Sequence, residues 1–317
     1  MQFPGLAKPP VGIVFDSTMG RIDDVLALAM LHGFDGKDQA RIAAICVSSA
    51  DLQAAQFCDA VGRFYASATT GPAAMFMHFM PIGLADSKPA AESPMLSKAV
   101  YPNSIKSIND TADPATLIRN ELMAQYDQNA AVVLSGPATD LAKLLDTFGA
   151  KEWVARKVRL LCVADAGIQA DTAAAEKVFA EWPTPIVTVG REIGEALPFP
   201  GDSIEKDFAY ASAHPVADAY RAYRPMPYDA PSWALAAMLY AVHPNDGYFK
   251  LSGSGNRREL IFDPDQKDRI IKTYIEMASA KPVARKPRHP VDEKKDEKKD
   301  EKKDDKKEEE KKKDPAQ

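Results

Sequence analysis

Cysteine is scarce in this chain: three in 317 residues, Cys46, Cys58 and Cys162, with no pair at metal-ligand spacing. Each lies in an apolar stretch, which suits a small buried side chain better than a disulfide or zinc framework. Such usage is expected of a reduced compartment, and the expected localisation is cytoplasmic. Long apolar runs are missing too: none approaches the roughly 18–20 residues of a membrane-spanning helix. Residues 1–10 show no basic segment followed by an apolar one, so no secretory leader is visible. An excess of positive charge is also lacking, with 40 basic residues against 45 acidic. That balance excludes a basic nucleic-acid platform, so neither nucleic acid nor membrane is an expected partner. No Ser/His/Asp order, Gly-rich phosphate loop or His-Glu-x-x-His run is present.

Charge is concentrated at the C-terminal end. Positions 292–314 are all charged, 11 Lys and 12 Asp or Glu, leaving 29 basic and 33 acidic residues for the body. The block repeats a tetrad, Asp292-Glu293-Lys294-Lys295, which places like charges four apart, as in Glu293 with Glu297. Those pairs disfavour a helix, opposite pairs three apart offset part of the cost, and no apolar residue is there to be buried. A disordered or fluctuating polyampholyte tail is expected, with an interaction or solubility role and no readable partner. Pro282, Pro287 and Pro290 mark its linker. The expected organisation is one domain over residues 1–281 and a linker and tail over 282–317.

The body alternates short apolar runs with longer amphipathic ones. Strands are expected at 11–16, 42–48, 130–134, 158–163 and 186–189. Helices are expected at 22–32, 51–66, a segment ending near 145, 172–180, 231–242 and 266–277. This alternation predicts an α/β fold, a mainly parallel sheet with helices on both faces. Ligands of such sheets bind at the carboxyl ends of the strands. That rule singles out 16–24, 48–51, 136–140, 164–171 and the segment from 190 onward.

The most informative segment is Asp16-Ser17-Thr18-Met19-Gly20-Arg21-Ile22-Asp23-Asp24. An acid ends a strand, a glycine permits a tight turn, and two adjacent acids open a helix. Several oxygens converging at a strand end are what a hard cation such as calcium requires. On pattern alone, Asp23 and Asp24 equally suit first-turn acids favoured by the helix dipole, and Asp16 a turn residue.

The segment resembles the opening of inosine–uridine-type nucleoside hydrolases, whose hallmark is Asp-x-Asp-x-Gly-x-Asp-Asp before an apolar helix. Gly136-Pro137-Ala138-Thr139-Asp140-Leu141 is similar to that family's Gly-Pro-Leu-Thr-Asn-Leu turn. The stretches 181–187 and 191–194, and Asp229-Ala230-Pro231-Ser232-Trp233, resemble a bacterial branch of it. The likeness implies hydrolysis of the N-glycosidic bond of ribonucleosides, with a calcium ion holding the ribose hydroxyls and the attacking water. It implies calcium ligands at Asp24, Thr139 (through its carbonyl) and Asp229, a ribose contact at Asp23, and catalytic roles for Asp16 and Asp23. Substrate contacts are implied near Asp51 and Tyr228. Members are often oligomeric, so a homo-oligomer is an open expectation.

The sequence departs from that pattern in several places. Thr18 stands where the family has its second Asp, both a calcium ligand and the proposed base; a hydroxyl touches calcium only weakly and takes no proton near neutral pH. The loop from Asp16 to Asp23 is spaced differently from the short motif by a residue. Asp51 lies near the place of a sugar-contacting Asn, Tyr228 precedes Asp229 where many members have a His, and 166–171 is too short for the family's ribose-binding element. Asp140 and Asp51 offer substitute charge. A general base contributes roughly 10²–10⁴ in rate, so these losses open a second reading, a non-catalytic descendant that binds a ribosyl ligand or a protein partner. A third is a glycosyl-bond enzyme without calcium. If the calcium site exists, Thr18→Asp should tighten it. His32 reads as a helix-end or core residue, and His78, in a Met-rich run, as core or base-pocket lining. His214 and His243 read as turn residues, Trp182 and Trp233 as packing.

Overall fold

In the computed structural model, described for residues 9–70, 80–86, 96, 101–164 and 168–284, the apolar runs become the central strands of one sheet. They are β1 (Val11–Ser17), β2 (Ala40–Val47), β3 (Ile82–Leu84), β4 (Ala130–Ser135), β5 (Val158–Ala164), β6 (Ile186–Val189), β7 (Lys250–Ser252) and β8 (Arg257–Ile261). Their order is β3-β2-β1-β4-β5-β6-β8-β7, parallel throughout except for the antiparallel β7–β8 edge pair.

Eleven α-helices are described: α1 (Ile22–Gly36), α2 (Leu52–Ala66), α3 (Pro114–Ala124), α4 (Thr139–Leu145), α5 (Ala150–Lys157), α6 (Thr172–Glu181), α7 (Arg191–Ala196), α8 (Asp202–Lys206), α9 (Pro215–Tyr223), α10 (Trp233–Val242) and α11 (Lys267–Ala278). Alternation along β1 shows why both faces need cover. Ile13 and Phe15 join one core with α1, α2, α10 and α11, while Val14 joins the other with α3, α4 and α6. Strands buried on both faces read as continuous apolar runs. All three cysteines are free and buried in this packing.

The expected doubly covered parallel sheet is the observed one. Nearly all described residues fall in one compact unit, Met1–Ala68 with His78–Val283. The second unit, Thr69–Met77 with Ala284–Gln317, lies almost wholly outside the described residues, and so does the expected charged tail. His78 and residues 165–167 lie outside them as well. His214 is not a bare turn residue: it sits just before α9, buried, with Nε2 2.9 Å from the Tyr210 hydroxyl. No helix among the described residues is long and apolar enough to cross a membrane.

Candidate functional site

β1 sets the site. Asp16 lies one residue from its end, in register with Cys46 of β2 and Leu134 of β4, so three neighbouring strands finish together. Gly136 lets their loops close up: a Cβ there would stand 2.3 Å from the Ser48 Oγ and 3.2 Å from the Thr18 nitrogen. Between β1 and α1 the chain turns through Met19, which is buried with φ of 53°, a left-handed value uncommon for a side chain of this size. The turn is held by the Met19 amide donating to Ser17 Oγ (3.0 Å) and the Gly20 amide donating to Thr18 Oγ1 (3.2 Å).

Two groups of acids flank the end of β4. The first is Asp23 and Asp24 with Arg21. The Arg21 Nε donates to Asp23 at 3.1 Å, and its Nη2 donates to Asp24 Oδ1 at 2.9 Å. Nη2 also reaches the Ser135 Oγ at 2.7 Å and the Ser135 carbonyl at 3.1 Å. The Ser135 hydroxyl in turn donates to Asp24 Oδ1 at 2.6 Å, and the other Asp24 oxygen accepts the Arg21 amide at 3.2 Å. Asp23 spends its second oxygen on the amide of Ala234, 2.9 Å away in the first turn of α10, so this acid caps a helix other than its own. Burial works against charge on Arg21, but the attraction of Asp24 and Asp23 outweighs it and holds the guanidinium in its charged form. For Asp24, burial prevails over Arg21 and Ser135 and lifts its pKa to about 6.

The second group is Asp16 with Asp140, and no guanidinium is bonded to it; the nearby cation is Lys143. Both are fully buried, and neither oxygen of either carboxylate completes a hydrogen bond with a protein group among the described residues. Burial first, and then the neighbouring Asp140 charge, push Asp16 far above the ordinary carboxylate range, with the Ser48 hydroxyl working in the opposite direction. Asp140 is raised to about 6, by burial against the pull of Lys143. Buried neighbouring carboxylates resist ionising together, and both shifts run in that direction.

The remaining residues singled out in the sequence each make a bond of their own. Asp51 caps α2, its Oδ1 accepting from the amides of Gln53 (2.9 Å) and Ala54 (3.2 Å). The Thr139 hydroxyl donates to Asp171 at 2.7 Å. Asp229 is exposed and accepts the Gly201 amide at 2.9 Å. The Tyr228 hydroxyl donates to the Tyr220 carbonyl at 2.6 Å while its ring stacks on Tyr220 at 4.4 Å. Burial and Tyr220 push that phenol upward, away from the range of a useful proton donor. Thus the fold brings Asp16, Asp23, Asp24, Thr18, Thr139 and Asp140 to one edge, while Asp51, Asp229 and Tyr228 also hold local structure through these bonds.

A calcium site asks for about six to eight converging oxygens. Asp24, the mapped donor at the helix start, is already balanced by Arg21, and Thr18 supplies no carboxylate. No three His, Cys, Asp or Glu side chains among the described residues are grouped to hold a metal. The donor set as arranged does not fit calcium. Sequence reasoning gave no role to Arg21, Ser135 or Ser48, although the strand-end rule covered 16–24 and 48–51. Only Arg21 left a signal, as the residue that lengthens the spacing before Asp23.

No protein-family profile matches the sequence, and no curated protein matches it. Solved structures do match in shape. An inosine-uridine preferring nucleoside hydrolase from Bacillus anthracis superposes with TM-score 0.62 at 13% identity, over 85% of this chain and 99% of that one. A plant nucleoside hydrolase gives TM-score 0.62 at 14% identity, over 86% and 100%. The type III effector XopQ, solved in complex with adenosine diphosphate ribose, gives 0.63 at 13%, over 87% and 94%. The fold is the one found in nucleoside hydrolases.

Proposed function

We propose that this chain binds the ribosyl part of a nucleoside-type ligand at the carboxyl edge of its sheet, without the calcium-activated hydrolysis of ribonucleosides. The observation that carries this reading is the Asp16–Asp140 pair, whose buried acceptor oxygens complete no hydrogen bond among the described residues, with the Ser48 hydroxyl standing near Asp16. Buried acceptors call for donors, and the hydroxyls of a sugar are donors of the right kind. The fold supports the choice of ligand, since neighbours in shape are named for nucleosides and one is described with adenosine diphosphate ribose.

Binding is favoured over turnover by the residue at 18. Attack on the glycosidic carbon needs water deprotonated and fixed, and Thr18 has no basic oxygen to do it. Loss of a general base costs roughly 10²–10⁴ in rate. The Tyr228 hydroxyl, bound to the Tyr220 carbonyl, is no replacement acid for a leaving base. Incubation of the full chain with inosine, uridine or adenosine diphosphate ribose, followed by chromatography of base and sugar, tests the reading. No release above the uncatalysed background is expected, with or without calcium. Calcium-dependent release of free base from inosine or uridine would overturn it.

A further inference from the structure

We infer that Arg21 is the cation of this site: its guanidinium takes the charge-balancing place of a divalent metal. The sequence supplies the means. The hallmark motif has one residue between its Gly and its paired acids, whereas here two, Arg21 and Ile22, separate Gly20 from Asp23. The added position falls at the residue before α1, where the backbone is extended (φ −117°, ψ 152°). From there the side chain lies back over the first turn, onto Asp23 at 3.1 Å and Asp24 at 2.9 Å, and across to Ser135 of β4 at 2.7 Å. A planar, permanently charged fork suits two carboxylates and a hydroxyl held in fixed directions. Both acids are shut away from solvent, while the Arg21 side chain keeps 22% of its surface exposed. It is therefore the charged group through which this acid pair is reached.

The exchange of metal for guanidinium changes the chemistry. A divalent cation is a Lewis acid that accepts lone pairs from water and lowers its pKa. A guanidinium offers only N–H donors, so it neutralises carboxylates and orients a ligand oxygen but generates no hydroxide. Nη1 makes no hydrogen bond among the described residues, which leaves one edge of the fork for such an oxygen. Arg21 is on this account a positioning residue that makes the site independent of metal. The inference goes beyond the ribosyl reading and rests on it only for which ligand the free edge meets.

Thermal unfolding of the full chain in calcium titrations, with no ribosyl ligand present, reads the charge balance alone. The wild type is expected to show no shift up to millimolar calcium. Thr18→Asp is expected to show none either, because Arg21 still holds the acids. The double variant Thr18→Asp, Arg21→Ala should gain about 5 °C at calcium near 100 times its Kd. Arg21→Lys keeps the charge and is expected to fold and stay indifferent to calcium, which covers the case in which Arg21→Ala does not fold. A calcium shift in the wild type, in Thr18→Asp or in Arg21→Lys would overturn the proposal, as would a folded double variant blind to calcium. Failure of the ribosyl reading would leave these curves unchanged.

Discussion

Single residues decide what this edge of the sheet is able to do. Asp24 and Asp16 are equally buried, yet one has a guanidinium and a serine hydroxyl on it and the other has a second acid beside it. The unmatched pair is therefore a cost to the fold. A carboxyl whose folded pKa is raised takes up more protons folded than unfolded. Its contribution is favourable below the unfolded value and is lost as pH rises through the folded one. For Asp140 that window runs from the ordinary 3.8 to about 6. Asp140→Asn should accordingly raise the free energy of unfolding at pH 8 by an amount on the order of 1–3 kcal/mol, and change it little at pH 4. Equal effects at the two pH values would refute this origin of the cost. On the proposed reading, Thr18 and Arg21 carry the other residue-level consequence, a site without a base and without a metal requirement.

At the scale of elements, the site exists because strands end together and helices begin there. α1 and α10 both present their first turns to the acids, and Asp23 links them through the Ala234 amide. The far end of α1 shows how tightly that helix is seated. A Cβ on Gly33 would stand 2.0 Å from the Met277 carbonyl oxygen of α11, whereas one on Gly36 would meet only Val283 at 3.6 Å. Gly33→Ala should thus cost about 1–3 kcal/mol by forcing the helices apart, and Gly36→Ala should be neutral or slightly stabilising. Urea unfolding of both variants checks the contrast, and a Gly33→Ala protein as stable as wild type would contradict it.

The same scale explains what the sequence made legible. β1, β2, β4, β5 and β6 are buried runs with turn residues at their ends, so their places fall within a few residues of expectation. β3 and β7 have three residues each, too few for any periodicity to show, and β8, one strand in from the edge, is mostly exposed. α3, α5, α7, α8 and α9 were also not foreseen, because their apolar faces are short or broken by charged residues. The acids of the β1–α1 loop were legible because their spacing is local. Ser135, and the approach of Ser48 to Asp16, were not, since only the parallel pairing of β1 with β4 and β2 brings them alongside.

Across the whole molecule, the fold is the one found in nucleoside hydrolases over most of the chain, and the proposed reading places ribosyl binding without calcium chemistry at its strand-end edge. Isothermal titration of inosine into the full chain, in buffer with a chelator, tests that account most directly. Saturable binding at one site per chain is predicted, unchanged when calcium replaces the chelator and weakened at least about tenfold, or roughly 1.4 kcal/mol, by Asp16→Asn. Absence of binding in the chelator, with binding or base release restored by calcium, would contradict it.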